Sequence, residues 1–280
     1  MYYLVRQKIN ELHNLREQSV TRGVDTGFKP LDENLSIKKG YPLFIAGAPH
    51  SGKSELILEI LLSLSVRYGW KHFIYMGENG DIEEIIADLC FKYIGKPYRK
   101  SDYHPMSESE RIQAEMFIDQ HFVFLSDDVD MTLKKFYEIV DKAENELGIT
   151  FDTTLFDPFN DAIDESVKWG GSHHWLNHEL KQVRKISRKN KRVDILINHI
   201  ADVNTSIDKE TGLAYKRPAL PDEWNGGRTW LRRGFLMLLV YRPPAFLKDP
   251  NGVPYGENVT LVFVQKAKPK GVAKYGSVSK

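Results

Sequence analysis

The stretch Gly47-Ala48-Pro49-His50-Ser51-Gly52-Lys53-Ser54 fits G-x-x-x-x-G-K-[ST], a spacing whose chemistry is the holding of a chain of phosphates. Its glycines let backbone N–H groups wrap an anion at a helix N-terminus. In such a loop Lys53 reaches the β- and γ-phosphates, and the Ser54 hydroxyl ligates Mg²⁺. A short motif can match by chance, so the flanks decide. The apolar run 41–46 predicts a strand and residues 55–62 a helix, which is the setting the motif needs. The chain is therefore expected to bind a nucleoside triphosphate with Mg²⁺.

Three further side chains lie where strands are expected to end, and the carboxyl ends of parallel strands are where functional groups collect. Asp157 follows an apolar strand and is placed to hold Mg²⁺ opposite Ser54; its bland alternative is a turn aspartate before proline. Glu78 ends the strand after the loop's helix and is placed to orient a water at the γ-phosphate; the alternative is an acid favoured by the helix start at Asp81. His199 ends a later strand, where an imidazole could bond the γ-phosphate or simply be tucked away. Asp152 precedes its strand and is the weaker metal candidate.

Positioning these groups takes alternating strands and helices. Strands are predicted at 71–76, 122–125, 153–156, 193–198, 235–241 and 259–265, and helices at 133–147 and 173–189. Asp81 with Glu84, and Ser107 with Glu110, give capping-box starts for two more helices. Residues 2–19 suggest a helix with a loose stripe of Leu4, Ile9, Leu12 and Leu15, docking on the domain or on a neighbour. Residues 201–230 are polar and Gly/Pro-bearing, the longest expected loop. The expectation is α/β: a mostly parallel central sheet flanked by helices with an antiparallel C-terminal edge, one domain over 23–280 after a linker helix over 1–22.

The totals narrow the function. A formal net charge of +1 over 280 residues means that any nucleic-acid affinity comes from local patches. The lone Cys90 excludes an internal disulfide framework and suits a reducing compartment. The apolar run 235–241 is too short to span a bilayer and no signal peptide opens the chain, so no membrane is expected. His173, His174 and His178 lack the Glu of H-E-x-x-H and suit a polar helix start better than a metal. The cations from Lys181 to Arg192 suit a solvated helix face better than a nucleic-acid patch. Lys266, Lys268, Lys270, Lys274 and Lys280 form an acid-free segment, free to reach phosphates or to stay solvated.

The order of these segments resembles the RecA-like motor domain of hexameric replicative helicases of the DnaB type, closest to the primase–helicase branch that includes Twinkle and phage relatives. The resemblance runs from Gly23 to Ser279. It is carried by Thr26-Gly27-Phe28 with Leu31-Asp32, the phosphate loop, Gly77-Glu78-Asn79, Ile94-Gly95-Lys96-Pro97, Asp157-Pro158-Phe159-Asn160, Asn198-His199, Gly226-Gly227, Tyr241-Arg242 and Gln265-Lys266-Ala267-Lys268. It implies ATP hydrolysis with Mg²⁺ between subunits of a homo-oligomeric ring, a hexamer, with single-stranded DNA in the channel, and it admits a primase as partner. By position it makes Glu78 the catalytic glutamate, Asp157 the metal acid and His199 the γ-phosphate sensor. Lys266 and Lys268 become a lysine and an arginine-type finger on the neighbour's nucleotide. The loops after Asp157 and His199 would face DNA, with Lys168, Lys209, Lys216 and Arg217 as phosphate contacts. The implied location is the cytoplasm of a bacterium or a phage-infected cell.

Three departures stand out. Position 268 is Lys where the family usually has Arg, which loses the planar fork; Arg228 is a candidate substitute. No primase or other N-terminal domain is expected within these residues, and the last strand is expected to be cut or minimal. Two alternatives follow: a RecA-like ATPase of recombination or DNA packaging, and a nucleotide-gated loader with little turnover.

Overall fold

The computed structural model describes residues 4–17, 22–78, 81–128, 131–162, 165–268 and 271–280. After a 3-10 turn, Val5–Lys8, come α1 (Ile9–Glu17), α2 (Lys29–Asp32), β1 (Leu43–Gly47), α3 (Lys53–Tyr68), β2 (His72–Met76), α4 (Ile82–Ile94), α5 (Glu108–His121) and β3 (Phe122–Leu125). Next are α6 (Leu133–Leu147), β4 (Thr153–Asp157), α7 (Ser172–Asn190), β5 (Val193–His199), β6 (Thr205–Ile207) and β7 (Ala214–Lys216). The chain closes with α8 (Arg228–Arg233), β8 (Leu236–Tyr241), β9 (Leu261–Lys266) and β10 (Val278–Ser279).

The main sheet has eight strands in the order β10-β9-β8-β1-β5-β4-β2-β3. From β8 to β3 all neighbours are parallel, and β9 and β10 run antiparallel at one edge. Parallel strands need covered faces, and the sequence supplies them with period two. Leu43 and Ile45 of β1 join Ile57, Leu61 and Leu89 of α3 and α4 on one side. Phe44 and Ala46 join Phe136, Leu180 and Trp230 of α6, α7 and α8 on the other. Each buried Leu, Ile or Phe among them contributes about 1.5–3 kcal/mol, and a one-residue slip of β1 would invert both layers.

The registers matter most for function. Gly47 lies opposite His199 on one side and Val240 on the other, and Met76 lies opposite Asp157. The carboxyl ends of β1, β2, β4 and β5 therefore finish level on one rim.

Most expected boundaries hold. Helices α3, α4 and α6 stop at left-handed Gly69, Gly95 and Gly148. The box at α5 forms: Glu110 N donates to Ser107 Oγ at 3.3 Å and Ser107 N to Glu110 Oε2 at 2.7 Å. The box at α4 does not form. Asp81 caps through its backbone only, and the Glu84 carboxylate is taken by Arg99. The expected loop 201–230 carries a hairpin, β6–β7, and ends by starting α8. Its turn is held by Thr211, whose N and Oγ1 both donate to Asp208. The N-terminal helix is shorter than expected: residues 5–8 wind as a 3-10 turn, and Tyr2, Tyr3, Gln18 and Ser19 lie outside the described residues. Leu4, Ile9 and Leu12 are exposed. The last strand is minimal, two residues on β9. Among the described residues no helix is long and apolar enough to cross a membrane.

Candidate functional site

The phosphate loop is shaped by close approach. A Cβ on Gly47 would stand 2.4 Å from the Val240 carbonyl and 2.5 Å from Ser51 Oγ, so only glycine fits at the end of β1. Gly52, with φ of 89°, turns the chain into α3 as its N-cap and gives its first-turn amides no side-chain cap. Uncapped amides at a helix start are anion donors. Lys53 is buried, 6% exposed, and its Nζ donates to the Ala48 carbonyl at 3.0 Å. Ser51 Oγ is buried with no hydrogen-bond partner among the described residues. Ala48, Pro49 and His50 complete the loop, with His50 at a positive φ of 59°.

Ser54 Oγ donates to Asp157 Oδ2 at 2.5 Å, which joins the first turn of α3 to the end of β4. Glu78 Oε2 lies 3.3 Å from His199 Nε2, which joins the ends of β2 and β5. The Glu78 side chain is 54% exposed, so one of its faces is open to solvent while the other meets the imidazole. Lys53, Ser54, Glu78, Asp157 and His199 thus meet on the one rim that the registers align. Asp152 sits at the opposite rim, accepting from Lys71 N at 2.8 Å.

The electrostatics of this rim are unbalanced. Burial pushes the Asp157 carboxyl up to about 6, although Ser54, Lys53 and His199 favour its charge; nearby Glu78 adds to the rise. Burial also lowers the Lys53 ammonium, with Asp157 and Glu78 opposing. Each buried group leans toward neutrality despite the other, so the carboxylate wants a cation and the ammonium an anion. A magnesium-bound polyphosphate brings both. Ser54 and Asp157 fit Mg²⁺, which takes few protein ligands and fills its shell with phosphate and water. Among the described residues no three His, Cys, Asp or Glu side chains gather as a metal cage.

The other sequence candidates lie elsewhere. Lys266 ends β9 opposite Met237, three places down β8 from the Val240 level of the phosphate loop. Its Nζ donates to the Leu231 carbonyl, and burial followed by Lys268 lowers its pKa. Lys266 therefore does not join its own chain's phosphate loop, and exposed Lys268 follows it. Arg228 Nε is 3.5 Å from Asp222 and largely exposed. Of the four expected DNA contacts, Lys168 pairs with Glu165 at 2.5 Å, Lys216 with Asp202 at 2.7 Å, and Arg217 with both oxygens of Glu223. Lys209 is exposed at the hairpin turn. Lys270 lies outside the described residues. His178 stacks on Trp169 and bonds Glu179 and Gln182, in keeping with its bland reading.

Sequence reasoning treated Asn198 only as part of a motif. It is fully buried, its Nδ2 donates to the Asn225 carbonyl at 2.8 Å, and its Oδ1 has no partner among the described residues. A polar residue in an apolar strand was the available signal.

No family model matches the chain. Over 171 residues, 59% of the chain, it is 26% identical to the Twinkle homolog protein, chloroplastic/mitochondrial, of Arabidopsis thaliana. It spans about a quarter of that protein's length, 24%. Among solved structures, a DnaB-like replicative helicase described with its primase interactions superposes with a TM-score of 0.70 at 14% identity, over 99% of this chain and 64% of that one. The ATPase domain of G40P gives 0.69 at 15% identity, over 98% and 92%. The RadB recombinase gives 0.53 at 18% identity, over 91% and 93%. The chain thus has the RecA-like fold of these structures, and over part of its length its sequence is similar to that of a Twinkle homolog.

Proposed function

We propose that this chain is an ATP-driven helicase motor that moves on single-stranded DNA in replication, hydrolysing ATP between copies of itself arranged as a ring. The observation that carries the reading is the meeting of Lys53, Ser54, Glu78, Asp157 and His199 on one rim. Lys53 leaves the Ala48 carbonyl for the phosphate oxygens. Ser54 and Asp157 would hold Mg²⁺, which would neutralise charge on the phosphates. Glu78, open on one face, accepts a hydrogen bond from the attacking water and aims it at the γ-phosphorus. His199, already beside Glu78, senses whether that phosphate is present. Lys266 and Lys268 serve a neighbour's nucleotide, since their own lies at the other rim.

The loops after Asp157 and His199 take the DNA strand, with Lys209 the cation least engaged by acids and Lys168, Lys216 and Arg217 recruited from their pairs. Residues 1–22 act as a linker ahead of the motor at 23–280. A primase partner and a bacterial or phage-infected cytoplasm complete the reading, in line with the single buried Cys90.

The test is ATP turnover with and without single-stranded DNA, alongside the particle's mass with a non-hydrolysable ATP analogue. Turnover raised by single-stranded DNA, displacement of a strand from a forked duplex, and a multimeric mass are expected. Stimulation without displacement would favour the recombination or packaging alternative, and turnover indifferent to DNA would remove the motor reading.

A further inference from the structure

Beside the nucleotide rim, the ends of β4 and β5 bound a second hollow of about 480 Å³. Phe159, Trp175 and Leu176 give it apolar walls, and Asn160, Ser172 and Asn198 give it polar ones. No lysine, arginine or carboxylate lines it among the described residues. Among the described residues its one titratable wall is His173, exposed beside the start of α7, and a flat, partly polar ligand suits both kinds of wall.

Asn198 says more about that ligand. Its Nδ2 is committed to the Asn225 carbonyl, which also accepts from Trp230 Nε1 at 2.7 Å. That bond fixes which end of the amide faces inward. Oδ1 is then an acceptor without a donor, fully buried, at a residue lining the hollow. Such a group is costly unless a donor meets it. The wall is also built to shape: Gly226, with φ of +90°, has no room for a Cβ, which would stand 2.5 Å from Leu176 Cδ2.

We propose that this hollow takes one base of a single-stranded nucleic acid, its exocyclic amino group donating to Asn198 Oδ1. The inference rests on the single-strand reading above and names the part of the strand that is recognised. Bases of single strands splay out, lie against aromatic walls and are read by neutral amides. The hollow is lined by residues following Asp157 and by Asn225 and Gly226, beyond His199, so it borders both loops assigned to the strand. Asn198 directly precedes His199, so an occupant bears on the residue that touches Glu78. Cytosine carries the required amino group. Thymine offers only an N–H flanked by two carbonyls, which would oppose Oδ1.

Fluorescence anisotropy on the full chain with a non-hydrolysable ATP analogue tests this with three labelled strands of equal length: oligo(dC), oligo(dT) and an abasic deoxyribose-phosphate strand. Oligo(dC) is expected to bind roughly tenfold more tightly than the abasic strand, with oligo(dT) nearer the abasic value. Asn198→Leu removes the acceptor. Ser172→Trp fills the mouth from the exposed first residue of α7, without disturbing the core. Both should bring the ratio close to one. Equal binding of oligo(dC) and the abasic strand by the unaltered protein would overturn the base pocket while leaving the single-strand reading intact. A ratio that persists in Ser172→Trp would overturn it too, as would one indifferent to Asn198→Leu in a folded variant. Failure of every strand to bind would remove the single-strand reading, and this inference with it.

Discussion

The two rims of the central sheet both bury charge and do opposite things with it. At the amino rim, Asp194 is fully buried and accepts from Thr154 Oγ1 at 2.7 Å, Ser187 Oγ at 2.6 Å and Arg192 Nε at 2.8 Å. The Arg192 guanidinium also lies over the Tyr137 ring and 3.7 Å from Glu144, while its Nη1 and Nη2 and the Tyr137 hydroxyl are buried without hydrogen bonds among the described residues. Nearby His72 is buried between Ser65 and Thr153, and burial holds it neutral, with a pKa lowered to about 3. At the carboxyl rim, Ser51 Oγ, Asn198 Oδ1 and His199 Nδ1 are buried without partners among the described residues. Lys53 and Asp157 there are both driven toward neutrality. At the amino rim a buried carboxylate and a buried guanidinium bond each other and tie β4, β5 and α7 together; at the carboxyl rim burial outweighs the attraction between Lys53 and Asp157, and a ligand can supply what burial takes away.

The largest effect should come at the carboxyl rim. Lys53→Ala and Glu78→Gln should each cut ATP turnover about a thousandfold, while only Lys53→Ala weakens nucleotide binding strongly. Rate and nucleotide-titration measurements separate the two. Full turnover in Glu78→Gln would break the assignment of that rim to catalysis.

At the amino rim the cost is to the fold. Asp194→Ala leaves the Arg192 charge buried with its closest partner gone and should destabilise the protein by about 3 kcal/mol in urea unfolding. A loss of only a few tenths would mean that Glu144 and Tyr137 hold the guanidinium without it, and that the contrast between the rims is overdrawn.

The sharpest comparison is the opposite sign expected for Asp157→Asn. The Asp157 carboxyl ionises near 6 in the fold and near 3.8 when unfolded. Its contribution is therefore fully present below the unfolded value and lost as pH rises through the folded one. Ligand-free Asp157→Asn should gain about 2 kcal/mol over the unaltered protein at pH 7 and nothing at pH 3. Magnesium-dependent nucleotide binding should be lost in the variant, and in the unaltered protein should weaken below pH 6. Unfolding curves that run parallel from pH 3 to 7 would remove the imbalance on which the site argument stands.

Much of this was legible because it is local. The phosphate loop is a contiguous motif, and apolar strands ending in Asp157 and His199 announce a rim of a parallel sheet. What was not legible depends on neighbours far along the chain. Arg192 belongs to a run of cations that reads as a solvated face; it alone turns into the core because Asp194, two places on in β5, is buried beside it. The β6–β7 hairpin has three-residue strands, mostly exposed, with no apolar alternation to find. The acid at Glu84 looks like a capping partner until Arg99 competes for it. The pairs formed by Lys216 and Arg217 are set by how residues 202–223 fold back, which charge counting does not see.

The reversal of β9 has a consequence for how copies can be joined. It carries Lys266 away from the chain's own phosphate loop, so a lysine that serves a nucleotide from there must serve someone else's. Such a contact joins two different patches of the surface: a two-fold axis makes it reciprocal within a pair, while any other arrangement is head-to-tail and either closes into a ring or runs on as a filament. On the proposed reading each nucleotide is completed by a second copy, and dilution alone should idle turnover.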